Sequence, residues 1–152
     1  MYKYLPVWLH LRFQKSQFKS RMSSIFSKII AGQIPCYKIA ENENYFAFLD
    51  ISPLTKGHTL VVPKKEVNYI FDLDADTYLG LMEFSKRVAS AIKKSINCDR
   101  ISMQVIGLEV PHAHVHLIPI RTMNDCNFAN QKLKLTTEEF IEIANSITLN
   151  FK

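Results

Sequence analysis

From residue 23 onward the apolar positions fall into runs of two periods, and polar punctuation separates them. Ser23 or Ser24 can cap a short helix in which Ile25, Phe26, Ile29 and Ile30 form one apolar face, and Gly32 ends it. Residues 37–40 and 45–49 read as two short strands around the polar turn Glu41-Asn42-Glu43-Asn44. SPLTKG (52–57) is a loop, and HTLVVP (58–63) is a strand closed by Pro63. Asp74 is placed to cap a long helix through Ile96, with Tyr78, Leu81, Met82, Val88, Ala89, Ile92 and Ile96 at helical spacing. Residues 101–106 and 112–118 alternate as strands again. Thr136-x-x-Glu139 is a capping box opening a last helix, with Phe140, Ile143, Ala144 and Ile147 inward. Strands and helices do not alternate strictly, so the pattern predicts an α+β domain with an antiparallel sheet rather than a doubly wound parallel one.

The strand at 112–118 carries the candidate chemistry. His112, His114 and His116 occupy every second position, three of the five histidines in the chain. Period two sends them to one face and Ala113, Val115 and Leu117 to the other, where small apolar residues suit a core. Neighbouring imidazoles are then rooted about 7 Å apart and the outer pair about 13 Å apart. Zinc–nitrogen bonds of about 2.0–2.1 Å need closer convergence, so one metal held by all three would require a bend and an outside ligand such as His58 or Glu109. Phosphate suits the row better, because one neutral imidazole can attack phosphorus while its neighbours donate hydrogen bonds to non-bridging oxygens. A side-chain pKa near 6.5 allows both roles at neutral pH, and repulsion between charged rings helps keep one neutral. A polar sheet face without chemistry remains the bland alternative.

Composition narrows the classes. The 152 residues suffice for one domain with its own core, and 47% hydrophobic against 22% charged residues fits a soluble globular chain. No apolar run approaches the roughly 20 residues of a membrane span. Cys36, Cys98 and Cys126 are odd in number with no C-x-x-C pair, which points to reduced thiols in a cytosol-like compartment. The net charge of +5 resides wholly in residues 1–21, where Lys3, Arg12, Lys15, Lys19 and Arg21 meet no acid. The remainder balances 14 basic against 14 acidic residues, so neither a nucleic acid nor a membrane is expected as a partner. The basic extension 1–21 reads as a targeting peptide, as an arm or surface helix, or as a disordered tail upstream of a start at Met22. The last is the reading adopted, with the domain at 22–152.

PHAHVHLIP resembles the His-φ-His-φ-His-φ-φ motif of the histidine-triad family, φ being apolar. SIFSKIIAGQIP and FAFLDISPLTKGHTLVVPKK precede it in the family's order and spacing, and the RTMNDCNF tail followed by a helix is similar to that of bacterial members. The resemblance spans about residues 23–120. It implies a fold with about five antiparallel strands, one long central helix and short flanking helices, usually as a homodimer in the cytoplasm. It further implies hydrolysis or transfer of a nucleoside monophosphate at the α-phosphorus. His114 matches the nucleophile, which forms a covalent nucleotidyl-histidine. His112 and His116 match its orienting and phosphate-binding neighbours, and His58 the supporting histidine on the next strand. Asp50 matches the acid that binds the ribose hydroxyls, and Ile25, Phe26, Ile29, Phe48 and Ile51 match the base pocket. The substrate implied is a purine nucleoside phosphoramidate with AMP released. A dinucleoside polyphosphate hydrolase and a nucleotide-binding regulatory module with little turnover are the alternatives.

Three departures stand out. Gly107-Leu108-Glu109 replaces the family's Gly-Gln-Ser/Thr before the triad, and the preceding loop is shorter, with Gln104 the candidate to supply the missing amide. Glu109 should repel an anionic substrate unless it turns away, pairs with a cation or meets an amine leaving group. Ser24 and Ser27 occupy the positions of a Cys-x-x-Cys zinc pair found in some members, and Glu66 occupies a frequent histidine position. No zinc and no other cofactor are therefore expected, and one equivalent of tightly held zinc in the purified protein would overturn that.

Overall fold

The computed structural model describes residues 23–152, and the basic extension 1–21 lies outside the described residues. In chain order the elements are α1 (Ile25–Ile30), β1 (Lys38–Glu41), β2 (Tyr45–Leu49), β3 (Thr59–Pro63), α2 (Ala75–Ser95), β4 (Arg100–Gln104), β5 (Val115–Ile120) and α3 (Thr137–Asn150). Single 3-10 turns at Ile70–Asp72 and Met123–Cys126 are additions that the periodicity did not foretell. The strands form one antiparallel sheet in the order β1-β2-β3-β5-β4. The α+β expectation is met.

The caps fall where the sequence puts them. Ser24, Asp74 and Thr136 accept the N–H groups of Ser27, Thr77 and Glu139, and Glu139 returns a bond to Thr136 N–H to complete the capping box. Gly32, at φ 73°, closes α1 in the left-handed region that only glycine adopts without cost. Several strand ends move, and those flanking the 105–114 segment matter most. β4 stops at Gln104 instead of 106, and β5 begins at Val115 instead of 112. The reason is the backbone before Val115: His112 N–H bonds to Val110 O and Ala113 N–H to Val67 O, so these donors never join the β3 or β4 ladders.

Residue parity divides the sheet into two buried faces. Tyr45, Ala47 and Leu49 of β2, Val61 of β3 and Val115 and Leu117 of β5 pack against Leu81, Phe84, Val88, Ala91 and Ile92 of α2 and the inner face of α3. The opposite parity, Phe46, Phe48, Leu60 and Val62, forms a second cluster with Phe26 of α1. β2 and β3 are therefore buried at every position, not alternately. Along α2 the inward stripe includes Phe84 and Ala91, which the sequence reading passed over, whereas Met82 and Ala89 are only partly buried. All four inward residues expected on α3 are buried. Among the described residues no helix is long and apolar enough to cross a membrane.

Gly80 lies within α2, where alanine would ordinarily gain about 1 kcal/mol. A Cβ there would overlap the hydroxyl and ring of buried Tyr45, whose Oη donates to Thr77 O. Gly80→Ala is therefore expected to reverse the propensity gain and destabilise by about 1–3 kcal/mol, as overpacking does, read as a lowered urea midpoint.

Candidate active site

The parity that buries the second cluster also assembles the polar site. Residues directly opposite in an antiparallel pair share a face. Phe48 pairs with Leu60, Leu60 with His116, and His116 with Gln104, giving one row across four strands, β2-β3-β5-β4. Asp50 and His58 continue the same parity past the ends of β2 and β3, joined by Asp50 N–H donating to His58 O. They arrive beside His116: His58 Nε2 lies 3.0 Å from His116 Nδ1 and 3.7 Å from Asp50 Oδ2.

Backbone partners fix the proton positions on three of the four rings, and His58 fixes that of the fourth, His116. Leu54 N–H donates to His58 Nδ1 at 3.1 Å, so His58 carries its proton on Nε2 and donates it to His116 Nδ1. His116 consequently carries its own proton on Nε2. His112 Nε2 lies 2.7 Å from Pro63 O, an acceptor only, so the proton is there and Nδ1 accepts from the Ser24 hydroxyl at 2.8 Å. His114 Nδ1 donates to the carbonyl of His112 at 2.7 Å, leaving Nε2 as a bare lone pair. One ring of the three thereby presents a bare nitrogen lone pair to the cavity, and its neighbour there a donor.

Burial keeps these rings neutral. His58 is held at a pKa of about 4, by burial first and then by the positive charge of Lys132. His116 is held at about 3, by burial first and then by repulsion from His114 and His58. Burial also lowers His112 and His114, against the raising effect of their hydrogen bonds to Pro63 O and His112 O. Ring–ring repulsion, the cause expected from sequence, is real but second to desolvation. Asp50 and Glu109 both pull the His114 pKa upward, so their negative charges favour a cationic His114.

His114 and His116 open on a cavity of about 500 Å³. Ile25, Phe26 and Ile29 of α1, with Phe48 and Ile51, supply the apolar lining expected for a base, and Phe26 meets the His114 ring edge-on at 5.1 Å. Asp50 and Glu109 also line it. His112 and His58 lie behind the wall, fully buried and reaching the cavity only through His114 and His116. Gln104 stands on the histidine face opposite His116, but its amide donates to Ser102 Oγ and it does not line the cavity. Glu109 is exposed on the rim beyond Gly107, whose φ of 69° turns the chain out of β4. Among the described residues it forms no ion pair.

Phe128 and Lys132 are among the lining residues that were not singled out from sequence. Phe128 packs edge-on over His116 at 4.9 Å and His58 at 6.2 Å, and Lys132 folds back onto Phe128 O at 2.6 Å and lies over the Phe128 ring. Both belong to the tail beginning RTMNDCNF, where no periodicity marks them.

Neither polar cluster suits a metal. Asp50, His58 and His116 bring ligand atoms within 4.8 Å of one another, but both nitrogens of His58 are already committed. A metal on Nε2 would displace a proton that cannot move to Nδ1 while Leu54 N–H points there. At the other cluster, Ser24 and Ser27 offer neutral hydroxyls where zinc favours thiolate or imidazole, and both hydroxyls are used in hydrogen bonds.

Comparison with known proteins sets this geometry in context. A family model described as the HIT domain matches residues 31–123. An uncharacterised HIT-like protein of Borreliella burgdorferi is 35% identical over 134 residues, covering 83% of this chain and 96% of that protein. An adenosine 5'-monophosphoramidase of Schizosaccharomyces pombe is 38% identical over 99 residues, covering 64% of this chain and 74% of the relative. The crystal structure of a Hit-like protein involved in cell-cycle regulation from Bartonella henselae superposes with a TM-score of 0.73 at 30% identity, covering 84% of this chain and 96% of that one.

Proposed function

The chain belongs to the histidine-triad family, and from that premise we propose that it hydrolyses purine nucleoside phosphoramidates through a covalent nucleotidyl-His114, with AMP as the released half. The observation that carries the reading is the His114 tautomer: Nδ1–H is held by the His112 carbonyl, and the bare Nε2 stands in the wall of an apolar cavity. The monophosphoramidase activity named for the fission-yeast relative supports the same chemistry.

The steps follow from the proton positions. Nε2 of His114 attacks the α-phosphorus, a P–N bond forms, and the bond to the leaving amine breaks as the amine takes a proton from solvent. The ring becomes cationic, and the carbonyl of His112 accepts from Nδ1–H more strongly as it does so. The charges of Asp50 and Glu109 favour that same cation. His116 Nε2–H donates to a non-bridging oxygen, with its direction set by His58 behind it. Water then attacks phosphorus and gives up a proton to solvent, the P–Nε2 bond breaks, and AMP leaves with the His114 lone pair restored. Glu109, exposed and without an ion-pair partner among the described residues, favours an amine leaving group over the anionic one of a dinucleoside polyphosphate.

The test is to incubate the protein with adenosine 5'-phosphoramidate labelled in the α-phosphate, following AMP release and quenching early for label on protein. Turnover with an acid-labile adduct is expected. AMP binding without turnover or adduct would replace the enzyme reading with that of a binding module.

Asp50 is the ribose-binding acid in this reading; its Oδ1 is held by Ser52 N–H at 2.8 Å and the carboxylate faces the cavity. Asp50→Ala is expected to raise KM by roughly 10–100-fold for the ribonucleotide and to abolish preference over the 2'-deoxy substrate, the cost of a hydrogen bond to a charged group. Equal loss on both substrates would remove Asp50 from that role. A homodimer forms the working unit; β4 is an open sheet edge that carries Met103 and is followed by Val105 and Ile106, all three exposed beyond 40%, which suits pairing with a second copy.

A further inference from the structure

Glu66 lies just beyond β3, outside the cavity, yet two of the N-terminal donors of the segment that carries Phe26 converge on its carboxylate. Oε2 of Glu66 accepts Ser24 N–H at 2.9 Å and also the hydroxyl of Ser27. These bonds hold its carboxyl below the usual carboxylate range, Ser27 being the larger cause and Ser24 N–H the next. Ser24 Oγ accepts Ser27 N–H at 3.0 Å, which leaves its proton for His112 Nδ1 at 2.8 Å. Because Pro63 O can only accept, His112 Nδ1 can only accept as well, and the Ser24 proton has one destination that satisfies the ring. Ser27 Oγ is the competing acceptor, 3.2 Å from Ser24 Oγ and 3.5 Å from His112 Nδ1. With the Ser27 proton committed to Glu66 and the Ser24 proton to His112, the two hydroxyls donate in opposite directions, and Glu66 reaches His112 by seating Ser24 through its N–H. His112 in turn supplies the carbonyl that orients His114.

We propose that Glu66 is a positioning residue, which through Ser27 and Ser24 locks the His112 ring and so sets the orientation of His114. The Ser24–Ser27–Glu66–His112 cluster joins three separated parts of the chain, at |i−j| of 42 between Ser24 and Glu66 and 88 between Ser24 and His112. Its product is a fixed hydroxyl direction. A single oxygen of Glu66 takes both donors, so glutamine can place its carbonyl oxygen in the same position and alanine cannot. The role is therefore one of acceptor geometry rather than charge.

This inference rests on the phosphoramidase reading for its kinetic part only. Ser24→Ala, Glu66→Ala, the double variant and Glu66→Gln are compared in the full chain, each first checked by thermal melting. Ser24→Ala is expected to lower kcat about tenfold, the worth of one hydrogen bond to the ring that positions His114, with KM near that of the parent. Glu66→Ala loses a similar factor, and the double variant loses no more than the larger single loss, since both act through one contact. Glu66→Gln restores kcat to near the parent value. Losses that multiply, or a glutamine variant as slow as the alanine one, overturn the proposal. Nitrogen-15 spectra of the histidine rings give an activity-independent readout. In both alanine variants the His112 Nδ1 resonance moves toward that of a nitrogen without a hydrogen bond, and in the glutamine variant it does not. An unmoved resonance in Glu66→Ala also overturns the proposal, even in a variant whose melting point falls. If the parent releases no AMP, the phosphoramidase reading fails while the ring spectra still decide the role of Glu66.

Discussion

Replacing His114 by alanine is expected to reduce AMP release by about 10⁴-fold or more, because the bond-forming atom itself is lost. Nucleotide binding should survive within a few-fold. The apolar lining comes from α1, Phe48 and Ile51, the ribose contact from Asp50, and none of these leans on the His114 ring except Phe26 at 5.1 Å. The labelled adduct must vanish with turnover. His116→Ala makes the informative contrast, since it removes a donor to phosphate but leaves Nε2 of His114 in place. It should lose on the order of 10²–10³-fold, the range for one oxyanion donor, while still forming adduct. A His114→Ala protein that retains a tenth of the parent rate would mean that phosphorus is attacked by something else, and the nucleotidyl-histidine mechanism would fall.

The site was legible in sequence to the extent that it follows from parity. Alternation alone places His114 and His116 on one face with Phe48, Asp50, His58 and Leu60, and the sheet registers put the cross-strand pairs where that parity needs them. What alternation could not show is which donors leave the ladder. The β5 start at Val115 depends on Val110 O and Val67 O, contacts made by irregular backbone. The same limit hid Phe128 and Lys132, which reach the site from a segment with no period. Phe84 was missed for a different reason: between Leu81 and Val88 the helix stripe passes close to several positions, and only packing selects Phe84 at 1% exposure over the partly buried Met82. Family resemblance supplied the roles of Asp50 and the base pocket, and it flagged Ser24, Ser27 and Glu66 as departures. It did not foretell that those three would bond to one another and to His112.

The neutrality that suits the histidines to catalysis should make the fold sensitive to mild acid. An unfolded histidine takes its proton near pH 6.5, whereas folded His58 resists until about pH 4 and His116 until about 3. Between those values the unfolded chain binds more protons than the folded one, so stability is full above pH 6.5 and falls as the pH is lowered through that window. From pH 7 to pH 5 each ring should cost roughly 2 kcal/mol, a large part of the 5–15 kcal/mol typical of a domain. The two rings share a hydrogen bond, so they titrate as a pair rather than separately. Carboxylates with lowered pKa values, such as Glu66 and Glu139, also lose stabilisation in acid, but only below their ordinary range near 4.5. The interval between pH 6.5 and 5 therefore belongs to the histidines. Urea unfolding at pH 7 and pH 5 should show a loss on the order of 4 kcal/mol for the parent. His58→Gln, which cannot take the proton, should lose roughly 2 kcal/mol less across the same interval, whatever its stability at pH 7. Comparing differences within each protein cancels any cost of the substitution itself. An identical pH dependence in parent and variant would show that His58 takes its proton as readily in the fold as in the unfolded chain, and burial would then not be what holds the ring neutral.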